Sequence, residues 1–169
     1  MSLVVLLGGA RSGKSALAQR LAGEEATLIA TAAGLDSEME ERIRRHRAER
    51  PSGWTTVEET IELGTALANV GPQSSVVVDC LSLWVANLLE AGWADGEVEA
   101  TAGSVAGAAA GRVGLTVAVS NEVGMGIVPV TALGRRYRDV LGRVNASWVE
   151  AADRALLVVA GKAIPLVDT

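Results

Sequence analysis

The stretch that decides the fold is Leu3-Val4-Val5-Leu6-Leu7-Gly8-Gly9-Ala10-Arg11-Ser12-Gly13-Lys14-Ser15. Its first five residues are a continuous apolar run, which fits a strand buried on both faces of a parallel sheet. The next eight match G-x-x-x-x-G-K-[ST], and Ser15 to Ala22 then has helical composition, closing at Gly23. This motif requires strand, glycine-rich loop and helix in that order. Glycines let backbone N–H groups turn inward around phosphate oxygens, and the helix N-terminus adds partial positive charge. Lys14 is placed to reach the β- and γ-phosphates, and the Ser15 hydroxyl to ligate Mg²⁺. Gly8, Gly9, Ala10, Arg11, Ser12, Gly13, Lys14 and Ser15 are therefore the first candidate nucleotide contacts.

Outward from this loop, strands and helices alternate. Thr27–Thr31 reads as a second strand. Ser37 opens a helix through the capping pair Ser37 and Glu40, and Pro51 ends it at Arg50. The pairs Glu38–Arg42, Glu40–Arg44 and Glu41–Arg45 support that helix. Trp54–Val57 reads as a short edge strand and Ile61–Val70 as a helix. Ser75–Val78 is a buried strand ending in Asp79, followed by a helix over Leu81–Ala91. Gly92–Gly96 reads as a loop and Val98–Val113 as an Ala/Gly-rich helix. Leu115–Ser120 is a strand, Asn121–Pro129 a loop, Thr131–Asp153 a long helix, and Ala155–Val159 the last strand. This alternation predicts an α/β fold with a mostly parallel central sheet and right-handed crossovers. Ligands in such sheets bind beyond the carboxyl ends of the strands. The 169 residues carry no repeat and no linker, so one domain is expected.

Composition sets further bounds. Hydrophobic residues make up 49% of the chain, which excludes disorder as the main state. There is no Phe, so four Trp and many small aliphatic residues must build the core. The net charge of −5 argues against a general nucleic-acid surface. The single Cys80 excludes an internal disulfide and a cysteine zinc cluster. No apolar run reaches the roughly 18 residues of a membrane span, and the N-terminus lacks a signal peptide's basic region. A cytoplasmic protein without a membrane span is expected. The 15 basic residues comprise 13 Arg and only Lys14 and Lys162, which singles out both lysines.

Two residues carry open alternatives. Asp79 closes a hydrophobic strand, so it is either a carboxylate offered to Mg²⁺ or a strand-end cap. His46, the only histidine, shares a helix face with Met39 and Ile43. It is either a half-buried amphipathic-helix residue or a nucleophile toward phosphorus, flanked by Arg42, Arg44, Arg45, Arg47 and Arg50.

Several separated strings agree with one family. They are Gly8 to Ser15; Ala30-Thr31-Ala32; Glu38-Met39-x-x-Arg42-Ile43-x-x-His46-Arg47-x-x-Arg50-Pro51; Trp54-x-Thr56-x-Glu58; Val78-Asp79-Cys80-Leu81-Ser82-Leu83-Trp84-x-x-Asn87-Leu88-Leu89; Ser120-Asn121-Glu122-Val123-Gly124-Met125-Gly126-Ile127-Val128-Pro129; and Arg138-Asp139-x-x-Gly142-x-x-Asn145. The sequence resembles the bifunctional adenosylcobinamide kinase/adenosylcobinamide-phosphate guanylyltransferases of cobalamin biosynthesis. The phosphate loop is widely shared; the His-Arg-x-x-Arg-Pro and Asn-Glu-Val-Gly strings are far more specific.

The resemblance implies a three-layer P-loop NTPase-type fold and two reactions. ATP or GTP phosphorylates the aminopropanol hydroxyl of adenosylcobinamide; GTP then gives GMP to that phosphate, releasing pyrophosphate. It implies His46 as the guanylylated residue, with Lys14 assisting. Nucleotide contacts would fall on Gly8 to Ser15, on Thr31, Ala32 and Ala33, on Arg47, Ala48, Glu49 and Arg50, and on Glu58 and Asp79. Ser15 and Asp79 would hold Mg²⁺. The corrinoid is the expected partner, together with further copies of the chain in a homo-oligomer, a trimer among the forms expected. Two other readings stand beside it: a simple small-molecule kinase with a structural His46, and a nucleotide sensor with slow turnover. Asn121 and Glu122 serve either the substrate or the turn that carries them. Gly92–Gly111 matches none of the family's strings.

Overall fold

A computed structural model of the chain describes residues 1–32 and 52–167. The predicted helix Ser37–Arg50, with its capping pair, its acid–base pairs and His46, lies outside the described residues.

The apolar runs form the strands expected of them: β1 (Leu3–Leu7), β2 (Glu25–Ala30), β3 (Gly53–Glu58), β4 (Val76–Asp79), β5 (Thr116–Val119), β6 (Arg154–Val159) and β7 (Lys162–Leu166). They make one sheet in the order β3-β2-β4-β5-β1-β6-β7. Neighbouring strands run parallel except β6 and β7. The described helices are α1 (Lys14–Ala22), α2 (Leu63–Ala68), α3 (Leu81–Glu90), α4 (Asp95–Ala110) and α5 (Ala132–Ala151). The fold is therefore the expected α/β class.

Alternation along each strand divides the core in two. Leu3, Val5 and Leu7 of β1 join Val76, Val78 and Ala118 in a cluster with buried residues of α2, α3, α4 and α5. Val4 and Leu6 face the other way, with Val77, Val117 and Val119, and meet Ala18 and Ala22 of α1. Period-two side-chain direction thus produces three layers from strands apolar on both faces. Trp84 and Trp148 are fully buried among the first cluster and supply the aromatic volume that Phe would otherwise give.

The Ala/Gly-rich stretch is α4. Val98, Ala102, Val105, Ala106 and Ala109 recur at helical spacing and are buried. A Cβ at Gly103 would lie 3.4 Å from Ser147 Oγ, so small residues let α4 and α5 approach closely.

The sequence reading fails at the C-terminus. Ala155–Val159 is not the last strand: β7 follows it and pairs antiparallel from Val159↔Lys162 to Ala155↔Leu166. Ala160 (φ 49°) and Gly161 (φ 75°) both occupy the left-handed region, the requirement of a two-residue hairpin turn. Ala160 replaces the usual Asn or Gly of such turns, and Pro165 is tolerated because β7 is an edge. Both features hide the hairpin from the sequence.

Candidate active site

β1 leaves the core at Gly8, where a Cβ would be driven into the Val158 carbonyl. The loop turns through Arg11 (φ 55°) and Gly13 (φ 103°), and α1 starts at Lys14. Lys14 is 7% exposed. Its ammonium donates to Gly8 O at 2.9 Å, Gly9 O at 2.7 Å and Ser12 Oγ at 3.5 Å, spanning the loop from within. Gly9, Ala10 and Arg11 are exposed and Ser12 is buried.

Opposite the loop stands Asp79. The Ser15 hydroxyl donates to Asp79 Oδ2 at 3.2 Å. Two hard oxygen donors therefore converge at a helix N-terminus beside the glycine-rich loop. That donor set suits Mg²⁺, which takes one or two protein oxygens and completes its shell with phosphates and water. Among the described residues no cluster of three His, Cys, Asp or Glu could hold a metal.

Register aligns the other candidates with Asp79. Ala30 is level with both Glu58 and Asp79, and Asp79 with Val119. Glu58, exposed, thus stands two strand spacings from Asp79, about 10 Å, at the same carboxyl edge. Thr31 follows at the end of β2. Its backbone N–H donates to Asp79 O at 3.1 Å. Its hydroxyl donates to Cys80 O at 2.7 Å and accepts from Cys80 N at 2.8 Å. Thr31 is fully buried, so the structure places it under Asp79; Ala32 is half-buried beside it. Ala33, His46, Arg47, Ala48, Glu49 and Arg50 lie outside the described residues.

Beyond Thr31, Cys80 and Asn121, the polar network beneath this edge was not singled out from the sequence. Asn87 Nδ2 donates to Thr31 O at 2.8 Å and to Thr60 O at 3.1 Å, tying the ends of β2 and β3 to α3. Asn121 Nδ2 donates to Ser82 Oγ, which lies 3.0 Å from Cys80 Sγ. Asn145 Nδ2 donates to Asn121 O, and Asn145 Oδ1 accepts from Ser120 Oγ at 2.7 Å. The Tyr137 hydroxyl donates to Ser82 O at 3.1 Å, and burial pushes its pKa up to about 12. Burial, and then the charge of Asp79, also push the Cys80 thiol upward, so it is a packing residue here. Apart from Thr60 and Tyr137, these residues stand in the Ala30–Ala32, Val78–Leu89, Ser120–Pro129 and Arg138–Asn145 strings, so the strings themselves were the available signal.

Asn121 ties its loop to α3 and α5, and Glu122 ties it to the phosphate loop. Glu122 N donates to Gly8 O at 3.1 Å, and Glu122 Oε1 accepts from Gly124 N at 2.5 Å. Lys162, the other singled-out lysine, is exposed at the start of β7.

Comparison with known proteins bears on the whole chain. Residues 4–166 match the family described as cobinamide kinase / cobinamide phosphate guanyltransferase. A bifunctional adenosylcobalamin biosynthesis protein of Pseudomonas aeruginosa is 43% identical over 169 residues, covering 96% of this chain and 95% of the relative. Proteins of the same description from Escherichia coli and Salmonella typhimurium are 38% and 37% identical, each covering 94% of this chain and 96% of the relative. In shape the chain is similar to the flagellar accessory protein FlaH of Methanocaldococcus jannaschii, with a TM-score of 0.50 at 14% identity, covering 98% of this chain and 77% of that one. That likeness speaks to the fold alone.

Proposed function

The chain belongs to the cobinamide kinase / cobinamide phosphate guanyltransferase family, and from that premise we propose how its residues divide the two reactions. The enzyme serves adenosylcobalamin biosynthesis: it phosphorylates adenosylcobinamide and then transfers GMP from GTP to the new phosphate.

In the kinase step, the aminopropanol hydroxyl oxygen attacks the γ-phosphorus of ATP or GTP. The bond to the bridging oxygen breaks and the nucleoside diphosphate leaves. Gly8 to Ser15 hold the triphosphate in line, and Lys14 moves its ammonium from loop carbonyls onto phosphate oxygens as they arrive. Ser15 and Asp79 would hold Mg²⁺, which would supply charge neutralisation to the bound triphosphate. Thr31 positions Asp79 by clamping the peptide that follows it. Ala32, Ala33, Arg47, Ala48, Glu49, Arg50 and Glu58 complete the nucleotide contacts.

In the transferase step, a neutral nitrogen of His46 attacks the α-phosphorus of GTP. A P–N bond forms, and the P–O bond to pyrophosphate breaks. An oxygen of adenosylcobinamide phosphate then attacks the same phosphorus, returning the imidazole and giving adenosylcobinamide-GDP. Covalent capture divides one difficult displacement into two easier ones. The arginines beside His46 balance the charge that develops.

The observation that carries this reading is the pairing of a lysine-spanned phosphate loop with a carboxylate–hydroxyl pair, Asp79 and Ser15, at its mouth. The exposed apolar side chains of Met125, Ile127, Val128, Val130 and Leu133 favour a homo-oligomer, since they crowd one short loop and the start of α5 that follows it. No described helix is long and apolar enough to cross a membrane, and the enzyme works in the cytoplasm with its nucleotide donors. Incubation with GTP, Mg²⁺ and adenosylcobinamide, followed by mass spectrometry, tests both steps: adenosylcobinamide phosphate and adenosylcobinamide-GDP should form in turn. Phosphate product without the GDP adduct would leave a simple kinase.

A further inference from the structure

The β6–β7 hairpin has no part in the reactions as assigned above, yet its tip touches the phosphate loop at more than one point. Gly161 N donates to Ser12 O at 2.8 Å. A Cβ on Gly13 would lie 3.3 Å from Gly161 Cα, and one on Gly8 would strike the Val158 carbonyl. The Gly161 contacts come from the tip of the hairpin, whereas Val158 meets Gly8 from within β6, which continues the β1–β6 pairing Leu7↔Leu157.

Peptide geometry gives the contact a consequence. The Ser12–Gly13 peptide is planar, and its C=O and N–H point in opposite directions. Holding the Ser12 carbonyl toward Gly161 therefore fixes the Gly13 N–H away from the hairpin. That N–H belongs to the loop read above as the anion cradle. We propose that the Ala160–Gly161 turn is a positioning element of the phosphate loop, setting the orientation of the Ser12–Gly13 peptide for an incoming polyphosphate. The proposal rests on the reading of Gly8–Ser15 as a phosphate site.

Coupling between turn and loop is reciprocal: a ligand that favours the oriented peptide must also strengthen the Gly161–Ser12 bond. Amide hydrogen exchange on the full chain reads this directly, with inorganic tripolyphosphate and Mg²⁺ as the probe. Saturation should slow exchange at the Gly161 amide about tenfold or more. Unchanged exchange at Gly161, with calorimetry showing the probe bound, overturns the proposal alone. A parent protein that fails to bind tripolyphosphate overturns the phosphate-site reading, and the proposal with it. Substitution supplies a second arm. Gly161→Val opposes the φ of 75° that the turn needs, whereas Gly161→Asn tolerates it. With both variants folded by circular dichroism, Gly161→Val should weaken tripolyphosphate binding about tenfold, and Gly161→Asn should stay near the parent. Parent-like binding by Gly161→Val would count against the turn.

Discussion

The Ser15 hydroxyl meets Asp79 Oδ2 at 3.2 Å although the strands that deliver them are not neighbours, since β5 lies between β4 and β1. The phosphate loop curls over the end of β5 to bring a helix N-terminus against a carboxylate from the next strand. This arrangement predicts a metal-dependent defect. Asp79→Asn keeps the size of the side chain and removes its charge. It should lower both activities by about a hundredfold or more at saturating nucleotide, while metal-free nucleotide binding changes little. Isothermal titration with and without Mg²⁺, beside steady-state rates, separates the two effects. Equal losses with and without the metal would speak against Asp79 as its ligand.

Lys14 is the second prediction. An ammonium that bridges Gly8 O and Gly9 O from a buried position has already lost most of its hydration. Exchange of carbonyls for phosphate oxygens then strengthens its interactions. Lys14→Ala should reduce phosphorylation and guanylyl transfer alike, each by about a hundredfold, because both need the triphosphate clamped. Separate assays of the two steps check this; a kinase rate equal to the parent's would contradict it.

Asn145 tests the network beneath the site. It is 4% exposed, and its amide satisfies both Ser120 Oγ and Asn121 O. Asn145→Leu fills similar space but strands a buried hydroxyl and a carbonyl. Roughly 1–3 kcal/mol of stability should be lost, read as a lowered midpoint in urea unfolding with an unchanged m-value. A midpoint equal to the parent's would show that water replaces the amide without cost.

Asp153 sets a pH dependence. Its carboxylate accepts from Leu3 N at 3.0 Å and Ser2 N at 2.7 Å, and these bonds hold its pKa below the ordinary 3.8. A depressed folded-state pKa means that the folded protein binds fewer protons than the unfolded one just below pH 4. The contribution is therefore complete above the unfolded value and is lost as pH falls through the lower folded value. Thermal melts of the parent should fall in that acid window, and those of Asp153→Asn should fall less steeply. Parallel curves would show that the anchor between β1 and β6 does not depend on this charge.

Much of the fold was legible because the strands are short, apolar and bounded by glycine. Leu3–Leu7 read directly, and the strand read as Ser75–Val78 forms one residue later at Val76–Asp79, since burial on both faces leaves no alternation to misjudge. The phosphate loop was legible for a different reason: its chemistry demands particular residues at fixed spacing. The terminal hairpin was not, because Ala160 in a left-handed conformation carries no sequence signature. The site's supporting residues were hidden too. Asn87 and Asn145 act through bonds to backbone carbonyls distant in the chain, Asn87 reaching Thr31 O across 56 residues, and Ser82 O accepts from Tyr137 of α5 across 55. No local pattern encodes such partners. Lys162, which rarity alone singled out, lies exposed at the start of β7.

In the proposed reaction GMP passes through His46, the one histidine of this chain. GTP labelled at the α-phosphate, mixed with enzyme and Mg²⁺ before any corrinoid is added, measures it most directly. Label that stays with the protein, survives base, is released by acid and is absent from His46→Ala is the predicted result. Equal label on His46→Ala, or none on the parent protein while adenosylcobinamide-GDP still forms, would contradict it.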